Sequence, residues 1–152
     1  MTAGGLSALE EELRRLKFVE RHQVIKAIEV AREHGDLSEN AEYHAAREKQ
    51  SFIEGRVLEL ESIISLSDVI DPKSLSGVVV RFGATIELAD EDTDDESTFQ
   101  IVGTHEANVE DGKLSVTSPT ARALIGKSLG DSVEVTAPGG SKSYAIIKVD
   151  YI

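Results

Sequence analysis

The chain of 152 residues carries a net charge of −12, with 40% hydrophobic residues, 5% aromatics and neither Trp nor Cys. That is enough for one ordinary domain, or a small globular domain with an extended element, and it excludes disulfides and thiolate metal sites. The negative charge would repel a free duplex, because nucleic-acid binding normally rests on a basic face that releases counterions; the expected partner is a protein, with no tight independent nucleic-acid binding.

No apolar run approaches the roughly 20 residues that span a bilayer. Met1-Thr2-Ala3-Gly4-Gly5 lacks the basic and apolar pattern of a secretory signal. The chain reads as cytoplasmic, with no membrane partner.

From the N-terminus, Leu6, Leu9, Leu13 and Leu16 follow a 3,4,3 spacing that places them on one stripe of a helix. Val24 or Ile25, Ile28 and Ala31 continue it with some drift. Glu10 with Arg14 and Glu11 with Arg15 are i,i+4 pairs in the favourable order. The pattern stops at His34-Gly35, and Gly is the usual residue just past a helix end. It resumes near Asn40, where Phe52, Ile53, Val57, Leu60, Ile63 and Ile64 form a second stripe. Two such helices joined by a short loop pack antiparallel. The first would cover roughly 29 residues, about 43 Å at 1.5 Å per residue. A hairpin this long, with narrow apolar stripes and charged outer faces, is expected to project into solvent.

The chain changes character at Asp71-Pro72, because Pro biases the residue before it away from helix and no Pro precedes this one. We place a boundary there, giving an N-terminal coiled-coil hairpin over 1–71 and a C-terminal domain over 72–152. In the second half, Val78–Phe82, Thr85–Leu88, Thr98–Val102 and Val133–Val135 are rich in β-branched and aromatic residues and read as strands. Ile147, Val149 and Tyr151 share one face of a last strand, and Pro138-Gly139-Gly140 turns into it. Ser118-Pro119 supplies an N-cap and a first-turn Pro for a short helix with Ala121, Leu124 and Ile125 on its apolar side and Gly126 at its end. The acidic stretch Asp90–Glu96 reads as a solvated loop between strands. The fold class is α+β: a helical hairpin, then a small domain with a mostly antiparallel sheet.

Chemistry concentrates in the turn between the long helices, Glu33 to Tyr43. Asp36 can cap the second helix, with Glu39 completing a capping box. The same two carboxylates, carried at the end of a rod, also offer hard oxygen ligands to Mg²⁺. Two carboxylates are too few to hold the ion alone, so they would complete a site that another protein half provides. Arg32 and Arg47 flank the tip and could meet phosphate oxygens, or serve as ordinary helix charges. His34 and His44 lack the third His or Cys of a typical transition-metal site. Tyr43 is expected to pack across the hairpin.

The run from Ala31 to Glu48, AREHGDLSENAEYHAARE, continued by Phe52–Arg56, resembles the hairpin signature of the bacterial Gre transcript-cleavage factors. Phe82–Thr85, Ile101–Gly103, Ser118-Pro119, Ala121–Lys127 and Pro138–Gly140 match the same family, so the resemblance covers nearly the whole chain in order. It implies an antiparallel coiled coil and an FK506-binding-protein-like (FKBP-like) C-terminal domain. It further implies a protein that docks on RNA polymerase at the rim of the secondary channel and inserts its coiled coil there. Asp36 and Glu39 match the family's catalytic pair, which shares Mg²⁺ with the polymerase and promotes cleavage of backtracked nascent RNA near its 3′ end. The hydrolytic centre is the polymerase's, so the resemblance implies a catalytic cofactor, not an enzyme, with no metal bound stably by the free protein. The family's basic patch maps onto Arg32 and Arg47, and its docking surface onto Thr117, Ser118 and Pro119, whose strand-end and cap roles explain them equally well. Ser38 departs from relatives that carry Lys between the acids.

Three alternatives stand beside this reading. An anticleavage relative would occupy the same channel and inhibit. A prolyl isomerase would need an aromatic-lined pocket, for which the second half has only Phe82, Phe99, Tyr144 and Tyr151. A structural adaptor would use the tip acids only as caps.

Overall fold

The computed structural model describes residues 1–36 and 39–152. Its contacts divide into two compact units, Leu6–Ser67 and a second comprising Asp68–Ile152 together with Met1–Gly5. The change of character at Asp71-Pro72 thus falls a few residues inside the second unit, which also takes in the first five residues of the chain.

The helical unit begins with three segments that follow one another without a break: α1 (Ala3–Arg15), a π turn (Leu16–Glu20) and α2 (Arg21–Arg32). The π turn explains the drift of the stripe. The 3,4 spacing through Leu6, Leu9, Leu13 and Leu16 would continue through Glu20 to Gln23, Ala27 and Val30. The buried residues are instead Val24, Ile28 and Ala31, each one place later. A single π turn absorbs that extra residue and returns the stripe to the same side of the helix. Ile25 is left exposed.

Across the hairpin runs α3 (Ala41–Leu66), which buries Ala46, Ile53, Val57 and Leu60. Phe52, placed on this stripe by its neighbours in sequence, is 72% exposed. It lies one residue before Ile53, about 100° away around the helix, so the stripe that takes Ile53, Val57 and Leu60 turns Phe52 to the outside. Two Arg–Glu forks cross between the helices: Arg21 Nε and Nη2 donate to Glu54 at 2.7 and 2.8 Å, and Arg56 does the same to Glu12 at 2.8 and 3.1 Å. Arg14 pairs with Glu11, one turn back at i,i+3, in place of the expected Glu10.

The second unit is a five-stranded sheet in the order β3-β2-β1-β5-β4. Its strands are β1 (Thr85–Asp90), β2 (Glu96–Val102), β3 (Lys113–Ser115), β4 (Ser132–Ala137) and β5 (Gly140–Asp150). All neighbours are antiparallel except β2 and β3. A short helix, α4 (Pro119–Leu124), packs on it with Ala121 and Leu124 buried against Val80, Ile86, Ile101 and Ile146. The acidic stretch closes the β1–β2 turn, where Asp90 Oδ1 accepts from the Asp92 and Thr93 amides at 2.9 and 3.3 Å.

Two strand expectations need correction. Val78–Phe82 is not a regular strand; only Val79 bridges, to Ser128, and the segment pairs with the loop after α4 through Val80 N to Lys127 O (2.8 Å) and Leu129 N to Val78 O (2.9 Å). Its β-branched residues still serve the core, since Val80 is fully buried. On β5, Ile147 does not share a face with Val149 and Tyr151. The β1–β5 register shifts between Glu87 and Leu88, so that Glu87 faces Lys148 and Leu88 faces Ile146. The extra residue is a bulge that reverses the alternation: Ile146 enters the core and Ile147 is exposed.

Met1–Gly5 is held to this unit by a bridge from Thr2 to Ile70, with Ile70 N donating to Met1 O at 2.8 Å, and by one carboxylate. Glu106 accepts from Thr2 N (2.8 Å), Thr2 Oγ1 (2.7 Å) and Gly103 N (2.8 Å), while Thr2 Oγ1 itself accepts from Gly5 N at 3.0 Å. No helix among the described residues is long and apolar enough to cross a membrane.

Candidate functional site

The hairpin tip is built by the way α2 ends and α3 begins. Arg32 closes α2, and the backbone turns back through Glu33 and His34, whose amides reach Val30 and Ala31 carbonyls at 3.2 Å. Gly35 follows at φ +103°, a left-handed conformation that a side chain would strain. Asp36 comes next, exposed. Ser38, the position that departs from the family pattern, lies outside the described residues. Glu39 is again exposed, and Asn40 starts the second helix.

The cap of α3 is Asn40, not Asp36. Its Oδ1 accepts from Tyr43 N at 3.0 Å, the bond an N-cap side chain makes to the third helical residue. The helix begins at Ala41, so Asp36 and Glu39 both precede the cap and form no capping box with it. The S/D-x-x-E pattern that suggested the box is overruled by an Asn one place later, itself among the best N-cap residues. Asn40 is the residue that the sequence reading missed. Its signal was present: an Asn immediately before the second periodic run.

Arg32 and Arg47 both lie at this end of the hairpin, Arg32 in the last turn of α2 and Arg47 in the second turn of α3. Both are exposed, and Arg47 Nη1 donates to Gln50 at 3.1 Å on its own helix. His34 Nε2 approaches Glu42 at 3.6 Å across the turn. Tyr43 is half-buried, with its ring edge-on to His44 at 5.7 Å between centroids. Among the described residues no three His, Asp or Glu side chains gather closely enough to enclose a metal ion. An ion held by Asp36 and Glu39 would need its remaining ligands from elsewhere.

In the second unit, Ser118 caps α4 through Oγ to Ala121 N at 3.1 Å, with Pro119 in the first turn. Thr117 is exposed and its hydroxyl shares a 2.8 Å hydrogen bond with Ser115. Ser118 thus has a structural duty, while Thr117 and Pro119 present open surface. Phe99, Tyr144 and Tyr151 pack against the core. A cleft of about 470 Å³ between the β4–β5 hairpin and Thr120 has Tyr144 as its single aromatic wall, which is poor material for a prolyl-isomerase pocket.

Residues 1–69 match the family described as transcription elongation factor, N-terminal, and residues 75–151 match transcription elongation factor, GreA/GreB, C-terminal. The chain belongs to the GreA/GreB transcription elongation factor family. Among its relatives, the transcription elongation factor GreA of Ruegeria pomeroyi is 66% identical over 99% of this chain and 96% of that protein. The GreA of a Jannaschia species is 61% identical over 100% of this chain and 97% of its own. A solved structure, the GreA factor homolog 1 (Gfh1) protein of Thermus thermophilus, is 27% identical with a TM-score of 0.44, covering 98% of this chain and 96% of that one. As a GreA/GreB family member the chain is a transcription elongation factor.

Proposed function

We propose that this protein binds bacterial RNA polymerase, inserts its helical hairpin into the secondary channel and stimulates the polymerase's own cleavage of backtracked nascent RNA. The observation that carries the reading is the placement of Asp36 and Glu39. Both are exposed in the loop between α2 and α3, and capping of α3 is left to Asn40. The cap of α3 is Asn40, which weakens the case for a purely structural adaptor.

Asp36 and Glu39 would supply hard oxygen ligands to a Mg²⁺ ion whose other ligands are polymerase carboxylates. When bound, that ion would assist attack of water on a phosphodiester or stabilise the leaving oxygen. Arg32 and Arg47 would hold the phosphates of the extruded RNA 3′ segment. Thr117 and Pro119, with Ser118 fixed between them, would contribute to docking on the channel rim. The protein would then be a catalytic cofactor in the cytoplasm and not itself an enzyme. The anticleavage alternative is not favoured, because relatives at 61 and 66% identity are named as elongation factors.

The test is a stalled, backtracked polymerase complex given Mg²⁺ with and without this protein. The expected result is a shortened RNA that can be extended again. RNA whose 3′ ends are unchanged by the protein would reject the proposal.

A further inference from the structure

We infer that Asn40 is a positioning residue for the two acids of the tip, acting as a clip that closes the loop they stand on. The inference rests on the proposed role of Asp36 and Glu39. One planar amide does two jobs in opposite directions. Its oxygen accepts from Tyr43 N at 3.0 Å, capping α3, and its nitrogen donates to Ala31 O at 2.7 Å, in the last turn of α2. The Ala31 carbonyl also accepts from His34 N at 3.2 Å. Ala31 itself is buried in the hairpin core, so the clip ties the loop to a packed turn of α2. The orientation of the amide is set by chemistry: an N–H must meet its oxygen and a carbonyl must meet its nitrogen, and rotating it by half a turn would break both bonds.

The residues between the two clipped ends are the ones that carry Asp36 and Glu39. Ligands delivered to a half-built metal site must arrive in a narrow range of positions, and residues that hold ligands in place normally cost about 10- to 100-fold in activity when lost. Ser and Asp cap helices about as well as Asn. Ionised Asp has no donor for Ala31, and the single O–H of Ser sits one bond nearer its own backbone than the Asn amide nitrogen, short of the Ala31 carbonyl. Asn40→Ser and Asn40→Asp therefore separate the clip from the cap.

The experiment measures cleavage of backtracked RNA by the polymerase with full-length N40S, N40D and D36N, alongside polymerase affinity and thermal melting of each variant. N40S and N40D are expected to melt and bind like the parent, yet to cleave about 10- to 100-fold more slowly at saturating protein, with part of the loss recovered at raised Mg²⁺. D36N is expected to be inactive and not recovered. Parental cleavage rates in N40S and N40D beside an inactive D36N would overturn the clip and leave the site intact. A loss that follows melting or affinity, with no response to Mg²⁺, would reduce Asn40 to a structural residue and likewise overturn the inference. Full activity in D36N would instead remove the site on which it rests.

Discussion

Arg56 of α3 grips Glu12 of α1 with two parallel hydrogen bonds, 2.8 Å from Nε and 3.1 Å from Nη2, and its other terminal nitrogen reaches Glu59 at 3.2 Å. Both side chains of the fork are about 30% exposed, Arg56 at 29% and Glu12 at 31%. The hydrogen bonds from Arg56 hold the Glu12 carboxyl below its ordinary range against partial desolvation, helped by the charges of Arg56 and Arg15. A carboxyl depressed in the folded state stabilises at pH values above its unfolded pKa, about 4.3 for Glu, and that contribution is lost as pH falls through the folded value. Glu12→Gln is expected to lower stability by about 0.5–1 kcal/mol at neutral pH. The difference between the two proteins should shrink steadily below about pH 4, and parallel melting curves from pH 7 to pH 3 would show it. A difference that stays constant over that range would mean that the fork contributes by packing alone.

Gly5 is needed for the clasp around Glu106. A methyl group added there would sit 1.5 Å from Glu106 Oε2, the atom that accepts from Thr2 Oγ1. Relieving the clash means moving a carboxylate out of several hydrogen bonds. Gly5→Ala is expected to cost about 1–3 kcal/mol in stability. In a Glu106→Ala background the same change should cost much less, because the colliding group is gone. A double-mutant cycle measures this coupling, and additive effects would refute it.

Replacing Asp36 with Asn should abolish most cleavage while leaving the melting temperature unchanged. Asn40 caps α3, so the cap stays in place when residue 36 changes. Glu39→Gln should behave in the same way. The loss should be at least the roughly 10- to 100-fold that removing a supporting group costs a metal site. A cleavage assay read beside calorimetry separates the two properties, and a drop in both together would point to a structural defect.

Leu124 and Phe52 make a contrasting pair. Leu124 is completely buried beneath the sheet, and Phe52 is largely exposed on α3. Leu124→Ala should destabilise by about 2–5 kcal/mol through lost burial and a residual cavity. Phe52→Ala should fall within about 0.5 kcal/mol of the parent. Chemical denaturation of the two variants tests the ranking, which runs against what residue size alone would suggest.

The helices, α4 with its Ser118 cap and the β1, β2, β4 and β5 strands were legible from local pattern, because each buries one face of its own sequence. The turn between the helices was legible too, from His34-Gly35, although its cap at Asn40 was not. What periodicity could not supply were the places where two patterns compete. A one-residue excess in the heptad could have broken the helix, yet packing across the hairpin resolved it as the π turn at Leu16–Glu20. Ile147 alternates correctly with Val149 and Tyr151 in sequence, but pairing with β1 inserted a bulge and turned Ile146 inward. Asp36 and Asn40 are both good caps on paper, and the choice went to the residue whose amide could also reach Ala31. Local spacing determines which elements a chain can form, because backbone geometry repeats every few residues. Register, bulge and cap are decided only when another segment of the folded chain satisfies one candidate's hydrogen bonds.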